Sequence, residues 1–320
     1  MKIALVLLWS LAAGLRAQSF ADPSSLQTLR GILKEAKTPK TPPRAPFALR
    51  VLTYNVHGIA PWLVGQGALP DQKALGRYRE MARRLRELRA QGKAPQIVAI
   101  QEAWNGWSSK AATEAGYPYV TEGGSARFGK LTGAGLFIMS EYPVFTSETM
   151  NYSDCTGFDC LATKGAQHVR VVIPELGRAI DIYNTHMNAD EAPAKPEDSL
   201  KARMAQIKEY AAFVKRTRDA AATAVLAGDF NFASSGPDYK LFDGLLSAVN
   251  ASKACVDSKD CTGDDPGPIW TEAIDHQFTL AGARRALKAA FVARTFKEPH
   301  DGKPLSDHLG LEAHYLFAKP

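Results

Sequence analysis

Nine short apolar runs rich in β-branched residues, set apart by polar and glycine-containing stretches, recur along this chain. They are Phe47 to Val56, Gln96 to Gln101, Gly135 to Ser140, His168 to Ile173, Ala179 to Thr185, Ala224 to Gly228, Ile274 to Thr279, Phe291 to Phe296 and Leu309 to Phe317. Runs of this length and composition read as strands. Between them, Asp71 to Gln91 and Asp198 to Arg218 repeat apolar residues at three- and four-residue steps, as amphipathic helices do, and Gly92 is placed to stop the first. The alternation predicts a mixed α/β domain and leaves the strand order open.

What precedes Phe47 is different in kind. Lys2, the apolar stretch Ile3 to Gly14 and a small-residue cut after Ala17 read as a secretory signal over residues 1–17. A membrane span needs roughly 18 to 20 apolar residues, which this stretch does not reach. Residues 18–46 form an N-terminal segment, with a short helix expected over Ser24 to Lys37 and a proline-rich linker, TPKTPPRAP, before one large domain over residues 47–320. The expected location is therefore secreted or periplasmic.

Export suits the cysteines. Cys155 and Cys160 are five residues apart and Cys255 and Cys261 six apart, in polar stretches where a local bridge can staple a loop. Two local disulfides are expected, with reduced, buried thiols as the alternative; neither spacing is a zinc signature. The formal charge of +6 falls to +4 once Lys2 and Arg16 leave with the signal. This weak basic bias suits a phosphate substrate or an anionic surface, but it is no nucleic-acid stripe. The arginines of the first helix, from Arg77 to Arg89, read as a solvated face.

Chemistry concentrates where the strand-like runs end. Asn55 lies in TYNVHG, Glu102 in IVAIQEAW, His186 in IDIYNTH, Asp229 and Asn231 in AVLAGDFNF, and Asp307 with His308 in SDHLG. A rigid strand end can aim a side chain into a shared cleft. Carboxylates and carboxamides suit a hard divalent cation, and an imidazole can take a proton near neutral pH. Together they can neutralise a phosphodiester and activate water against it. GDFN also fits a local Asx-type turn. The other histidines, His57 among them, read as structural or surface residues. No GxSxG elbow supports acyl transfer.

Taken in order, TYNVHG, AIQEAW, GAGLFIMSEYPV, YNTHMN, AGDFN, IDHQF and SDH resemble the endonuclease/exonuclease/phosphatase superfamily. The resemblance implies a deoxyribonuclease I-like fold, an α/β/β/α sandwich of four layers. It also implies roles: Glu102 as main magnesium ligand, with Asn55 and Asp307 on the metal side; His186, Asp229 and Asn231 around water and phosphate; and His308 as general base, paired with Asp275.

One segment narrows the resemblance. Asp159-Cys-Leu-Ala-Thr-Lys164-Gly165 is similar to the Asp-x4-Lys-Gly segment of neutral sphingomyelinases, implying that Asp159 and Lys164 order the site around its substrate. The long hydrophobic hairpin with which some secreted bacterial sphingomyelinases dock is not evident, although Cys255 to Trp270 occupies a comparable position. Trp62, Trp104 and Trp107 are candidates for lipid contact or for core packing. The expectation is an exported, magnesium-dependent phosphodiesterase whose partner is a phospholipid membrane surface, releasing phosphocholine from sphingomyelin. The alternatives are a secreted deoxyribonuclease-like endonuclease, for which nucleic acid is the partner, and a non-catalytic lipid- or surface-binding module. No protein partner is implied.

Overall fold

The computed structural model describes residues 47–59, 72–191, 193–282 and 286–317. The expected signal, the N-terminal segment with its linker, and Trp62 lie outside the described residues.

Among the described residues, thirteen strands form two sheets. The first contains β1 (Ala48–Asn55), β2 (Ile97–Gln101), β3 (Tyr119–Gly123), β4 (Leu136–Ser140), β10 (Thr262–Gly263), β12 (Leu287–Thr295) and β13 (Gly310–Phe317), in the order β10-β12-β13-β1-β2-β4-β3. The second contains β5 (Val144–Asn151), β6 (Gly165–Ile173), β7 (Arg178–His186), β8 (Ala224–Asp229), β9 (Val249–Asn250) and β11 (Asp275–Leu280), in the order β5-β6-β7-β8-β11-β9. The α-helices among the described residues are α1 (Gln72–Ala90), α2 (Gly106–Glu114), α3 (Pro196–Thr217), α4 (Pro237–Leu246), α5 (Ala251–Val256) and α6 (Pro266–Glu272).

Three apolar clusters show how these layers stack. Leu49, Val51, Ile97 and Ile138 of the first sheet meet Val169, Val171, Ile180, Ile182 and Val225 of the second, so the inner faces share one core. The other face of the first sheet, with Leu52, Tyr54, Val98 and Ile100, packs against Tyr78, Met81 and Leu85 of α1 and Ala111 and Ala112 of α2. Beyond the second sheet, Tyr183 and Leu226 pack against Ile207, Tyr210, Phe213 and Val214 of α3 and Phe242 of α4. The result is the expected α/β/β/α sandwich. Strands covered on both faces cannot show an alternating pattern, which is why β2, β4 and β8 read as unbroken apolar runs.

Two pairings position the chemistry. β1 runs parallel to β2 and β7 parallel to β8, so four strand ends emerge on one side of the molecule. β11 runs antiparallel to β8 with Asp275 opposite Asp229, so its first residue lies at that same end. A buried amide bridge ties the sheets just below it: Gln101 Nε2 donates to Asn184 Oδ1 at 2.7 Å, and Asn184 Nδ2 donates to the carbonyls of Ile100 and Phe137.

Both expected disulfides are formed, Cys155–Cys160 and Cys255–Cys261. Cys255 to Trp270 folds as α5, the short β10 and the start of α6, not as a hairpin. The solvated-face reading holds for Arg79, Arg83 and Arg86, which are exposed, and is corrected for Arg77, Arg84 and Arg89, which are half-buried. Arg77 donates to the carbonyls of Val56, His57 and Leu305, Arg84 reaches the Glu298 carbonyl, Arg86 the Glu114 carbonyl, and Arg89 binds Glu141. These guanidiniums clamp neighbouring loops to the helix.

Candidate active site

The strand ends meet in a cavity of about 360 Å³ lined by Glu102, His186, Asp229, Asn231, Asp307 and His308, and also by His57, Trp104, Asp159 and Lys164. Backbone strain concentrates here. Glu102, Asn231 and His57 all have positive φ, at 58°, 53° and 48°. Conformations this unfavourable for residues other than glycine persist where packing enforces them. Gly58 shows how tightly the walls approach, since a Cβ there would lie 2.0 Å from the Glu102 carbonyl oxygen.

Asn55 is fully buried at the end of β1. Its Nδ2 donates to Glu102 Oε1 and to Asp229 Oδ2, each at 2.9 Å, while its Oδ1 accepts from the His57 backbone N–H at 3.0 Å. That network fixes the amide with its nitrogen toward the acids. Asn55 therefore holds two carboxylates side by side. Burial raises the Glu102 pKa, against the lowering effect of the Asn55 hydrogen bond. Burial, with Asp275 adding to it and His308 opposing it, raises that of Asp229 to about 7.

Among the described residues, two sets of oxygens and nitrogens approach closely enough to share a cation, Glu102 with His186 and Asp229, and Asp229 with Asp275 and His308; in the second, Asp275 is already engaged by the His308 ring. Asp307 stands outside both sets: its Oδ2 pairs with His57 Nδ1 at 2.9 Å, and His57 lies 3.8 Å from Glu102 Oε2. A hard cation fits the first set. Glu102 Oε2 is buried without a hydrogen-bond partner, and the raised pKa values record negative charge lacking compensation. A cation held by these oxygens would resolve both.

His186 is buried and neutral. Burial first, then the charges of Lys164 and His308, hold its pKa well below the usual range. Trp104 stacks against its ring at 5.6 Å. Its Nε2 lies 2.9 Å from Lys164 Nζ, which also donates to the Met187 carbonyl at 2.9 Å and pairs with Asp159 Oδ1 at 2.6 Å. Three partners use the three N–H bonds of the ammonium. Asp159 Oδ2 in turn accepts from the Ala189 N–H at 2.6 Å. The Asp159–Lys164 pair is thus an internal clamp on His186, with the ammonium's hydrogens engaged inside the protein.

Asp229 Oδ1 accepts the Asn231 N–H at 3.0 Å, so GDFN is an Asx-type turn and lines the site as well. Asn231 Nδ2 donates to the Met187 carbonyl at 3.0 Å.

His308 Nδ1 meets Asp275 Oδ2 at 2.7 Å, leaving Nε2 toward the cavity, 3.8 Å from Asp229 Oδ2. Burial opposes its charge, yet the Asp275 hydrogen bond and the surrounding acids outweigh burial and raise its pKa to about 10. The neutral-range titration expected from sequence is therefore displaced upward while only these acids face the ring.

His57 is the residue the sequence reading missed. Its neighbour Asn55 was the available signal, but its partners Glu102 and Asp307 arrive from distant segments. Trp107 packs against the core beneath α2 and Trp104 on His186, each remaining half-buried.

A model of the Endonuclease/Exonuclease/phosphatase family matches residues 52–308. The chain is 30% identical over 287 residues to a protein named "Putative neutral sphingomyelinase" from Drosophila melanogaster, covering 81% of this chain and 59% of that one. It is 29% identical over 191 residues to a sphingomyelinase of Mycobacterium tuberculosis, covering 54% of this chain and 35% of that one. The chain thus spans from about a third to three fifths of the length of these relatives. In fold it is similar to the sphingomyelinase C of Streptomyces griseocarneus, with a TM-score of 0.64 at 20% identity over 84% of this chain and 99% of the other. It is also similar to a double mutant of Staphylococcus aureus beta toxin with bound magnesium ions, with a TM-score of 0.65 at 19% identity over 85% and 100%.

Proposed function

Since this chain belongs to the endonuclease/exonuclease/phosphatase family, we propose that it is an exported, magnesium-dependent phosphodiesterase that hydrolyses sphingomyelin to ceramide and phosphocholine. The observation that carries this reading is the make-up of the cavity. Acids and imidazoles form its floor, while Ile59, Phe158, Leu161 and Ala162 line its wall. Such a cavity suits a substrate that is ionic at the scissile phosphate and apolar beyond it. The sphingomyelinase names of two relatives support it.

The chemistry follows from the residues. Glu102, with Asp229 beside it, would hold the cation, whose charge when bound offsets that of the phosphodiester and supports the leaving oxygen. With a cation's charge offsetting the surrounding acids, His308 would be neutral, and its Nε2 takes a proton from water as the water oxygen bonds to phosphorus; the bond from phosphorus to the ceramide oxygen breaks, and that oxygen is protonated from solvent. Asp275 fixes the ring orientation and stabilises the imidazolium that results. His186 keeps its place through the Asp159–Lys164 clamp and Trp104.

The test is to incubate the purified chain with sphingomyelin, phosphatidylcholine, inositol phosphates and plasmid DNA, each with and without magnesium. Magnesium-dependent phosphocholine release from sphingomyelin is the expected result. Cleavage of plasmid with every lipid spared would move the assignment to a nuclease. Vesicle binding without turnover would leave a surface-binding module.

A further inference from the structure

Of the seven large apolar side chains exposed among the described residues, three lie on two neighbouring loops: Phe158, which lines the cavity, and Phe128 and Leu131, which precede the cavity-lining Thr132. They belong to two loops that are joined. Leu131 N–H donates to the Leu161 carbonyl at 2.7 Å, Thr163 N–H to the Thr132 carbonyl at 3.0 Å, and Arg127 N–H to Thr163 Oγ1 at 3.1 Å. Lys130 Nζ donates to the Cys160 carbonyl at 2.8 Å, and Cys155–Cys160 closes the second loop. Exposure here is therefore held in place by the fold.

The tip of the first loop is a type II turn. Lys130 N–H donates to the Arg127 carbonyl at 3.0 Å, and Gly129 has a φ of +82°. That geometry puts Phe128 at the turn's apex, fully exposed, where burial in this chain does not reach it. Residues 123–133 read GGSARFGKLTG, whose only charges are the cations Arg127 and Lys130. An aromatic apex with a flanking cation and no acid suits an interface where acyl chains lie beneath a layer of phosphates.

Resting on the lipid reading above, we propose that residues 124–134 and 155–163 form one membrane-docking edge, and that its occupant is a phospholipid bilayer. Phe128 and Leu131 enter the headgroup layer, and Arg127 meets its phosphates. The edge adjoins the wall formed by Phe158 and Leu161, so docking brings the cavity mouth to the lipid surface.

The experiment uses flotation with phosphatidylcholine vesicles, with and without sphingomyelin, in chelator so that binding is read apart from turnover. Phe128→Ser/Leu131→Ser should bind at least tenfold more weakly, with the unfolding midpoint and the hydrolysis of water-soluble bis(p-nitrophenyl) phosphate unchanged. Phe128→Trp should retain binding and show blue-shifted indole emission when vesicles are added. Wild-type binding that survives the double substitution, or a wild type that ignores vesicles, overturns the proposal. A concentration-dependent dimer lost in the double variant, with no vesicle binding, overturns it too and assigns the edge to a second copy. If sphingomyelin is not hydrolysed but vesicle binding is lost in the variant, docking stands and the proposed activity fails.

Discussion

His308 Nδ1 and Asp275 Oδ2 lie 2.7 Å apart, joining the loop before β13 to the first residue of β11. That contact sets both the direction of the ring and its affinity for a proton. Asp275→Asn keeps the shape and removes the charge, so the His308 pKa should fall from about 10 by at least roughly one unit. Nuclear magnetic resonance titration of the ring, without metal, reads this directly. His308→Ala should lower turnover by about a hundredfold to ten-thousandfold. An unmoved His308 titration in the Asn variant would break the proposed pairing.

Glu102 offers a test of the cation. Its Oε2 is buried without a partner, and Asn55 holds Oε1 in place. Glu102→Gln removes one negative charge at nearly constant size. Turnover should drop roughly a hundredfold or more, and the residual activity should need more magnesium. Magnesium titrations of both proteins compare the half-saturating concentrations, and identical values would remove Glu102 from the site.

The polar clusters were legible because each ends a buried run, and a strand end is the place where a sequence pattern says both what is fixed and what is free. Less legible was anything decided by distant neighbours. That the Asn55 amide joins the His57 N–H to two carboxylates depends on groups from three segments. His57 itself lies beyond β1, and its partners come from the segment after β2 and the loop before β13. Strand β5, VFTSETMN, is partly exposed at the sheet edge and carries too many polar residues to stand out. Elements as short as β9, β10 and α5 hold less than one full pattern repeat.

His276 makes stability depend on pH. It is buried on β11, with Nε2 at 2.8 Å from the Phe232 carbonyl and Nδ1 at 3.3 Å from Asn250 Nδ2. Burial lowers its pKa to about 4, from an ordinary value of 6.5. Above pH 6.5 it is neutral in both folded and unfolded chains, and its full contribution is present. As pH falls from 6.5 toward 4, the unfolded chain binds a proton that the folded one refuses, so stability is lost across that window. The loss approaches about 3 kcal/mol. Urea unfolding at pH 7, 5.5 and 4.5 should show a shallower decline for His276→Gln than for wild type. Equal slopes would show that this imidazole is not the acid-sensitive group.

Lys164 and Asp159 are both largely buried, and each is the other's countercharge at 2.6 Å. Truncating either leaves the other ionised in a poorly hydrated position, which costs about 3 kcal/mol. Lys164→Met should therefore destabilise the protein, as should Asp159→Asn to a lesser degree because Lys164 keeps its contacts with His186 and Met187. The double variant should lose less than the sum of the two. Turnover should fall in both single variants, since both loosen the clamp that orients His186. Removing Lys164 also takes away one of the charges that keep the His186 pKa low, so that ring should become easier to protonate. Urea unfolding of the four proteins gives the coupling between the pair, and resonance titration gives the histidine. Additive losses together with an unmoved His186 would mean that the pair neither stabilises the loop as a unit nor acts on the site through that imidazole.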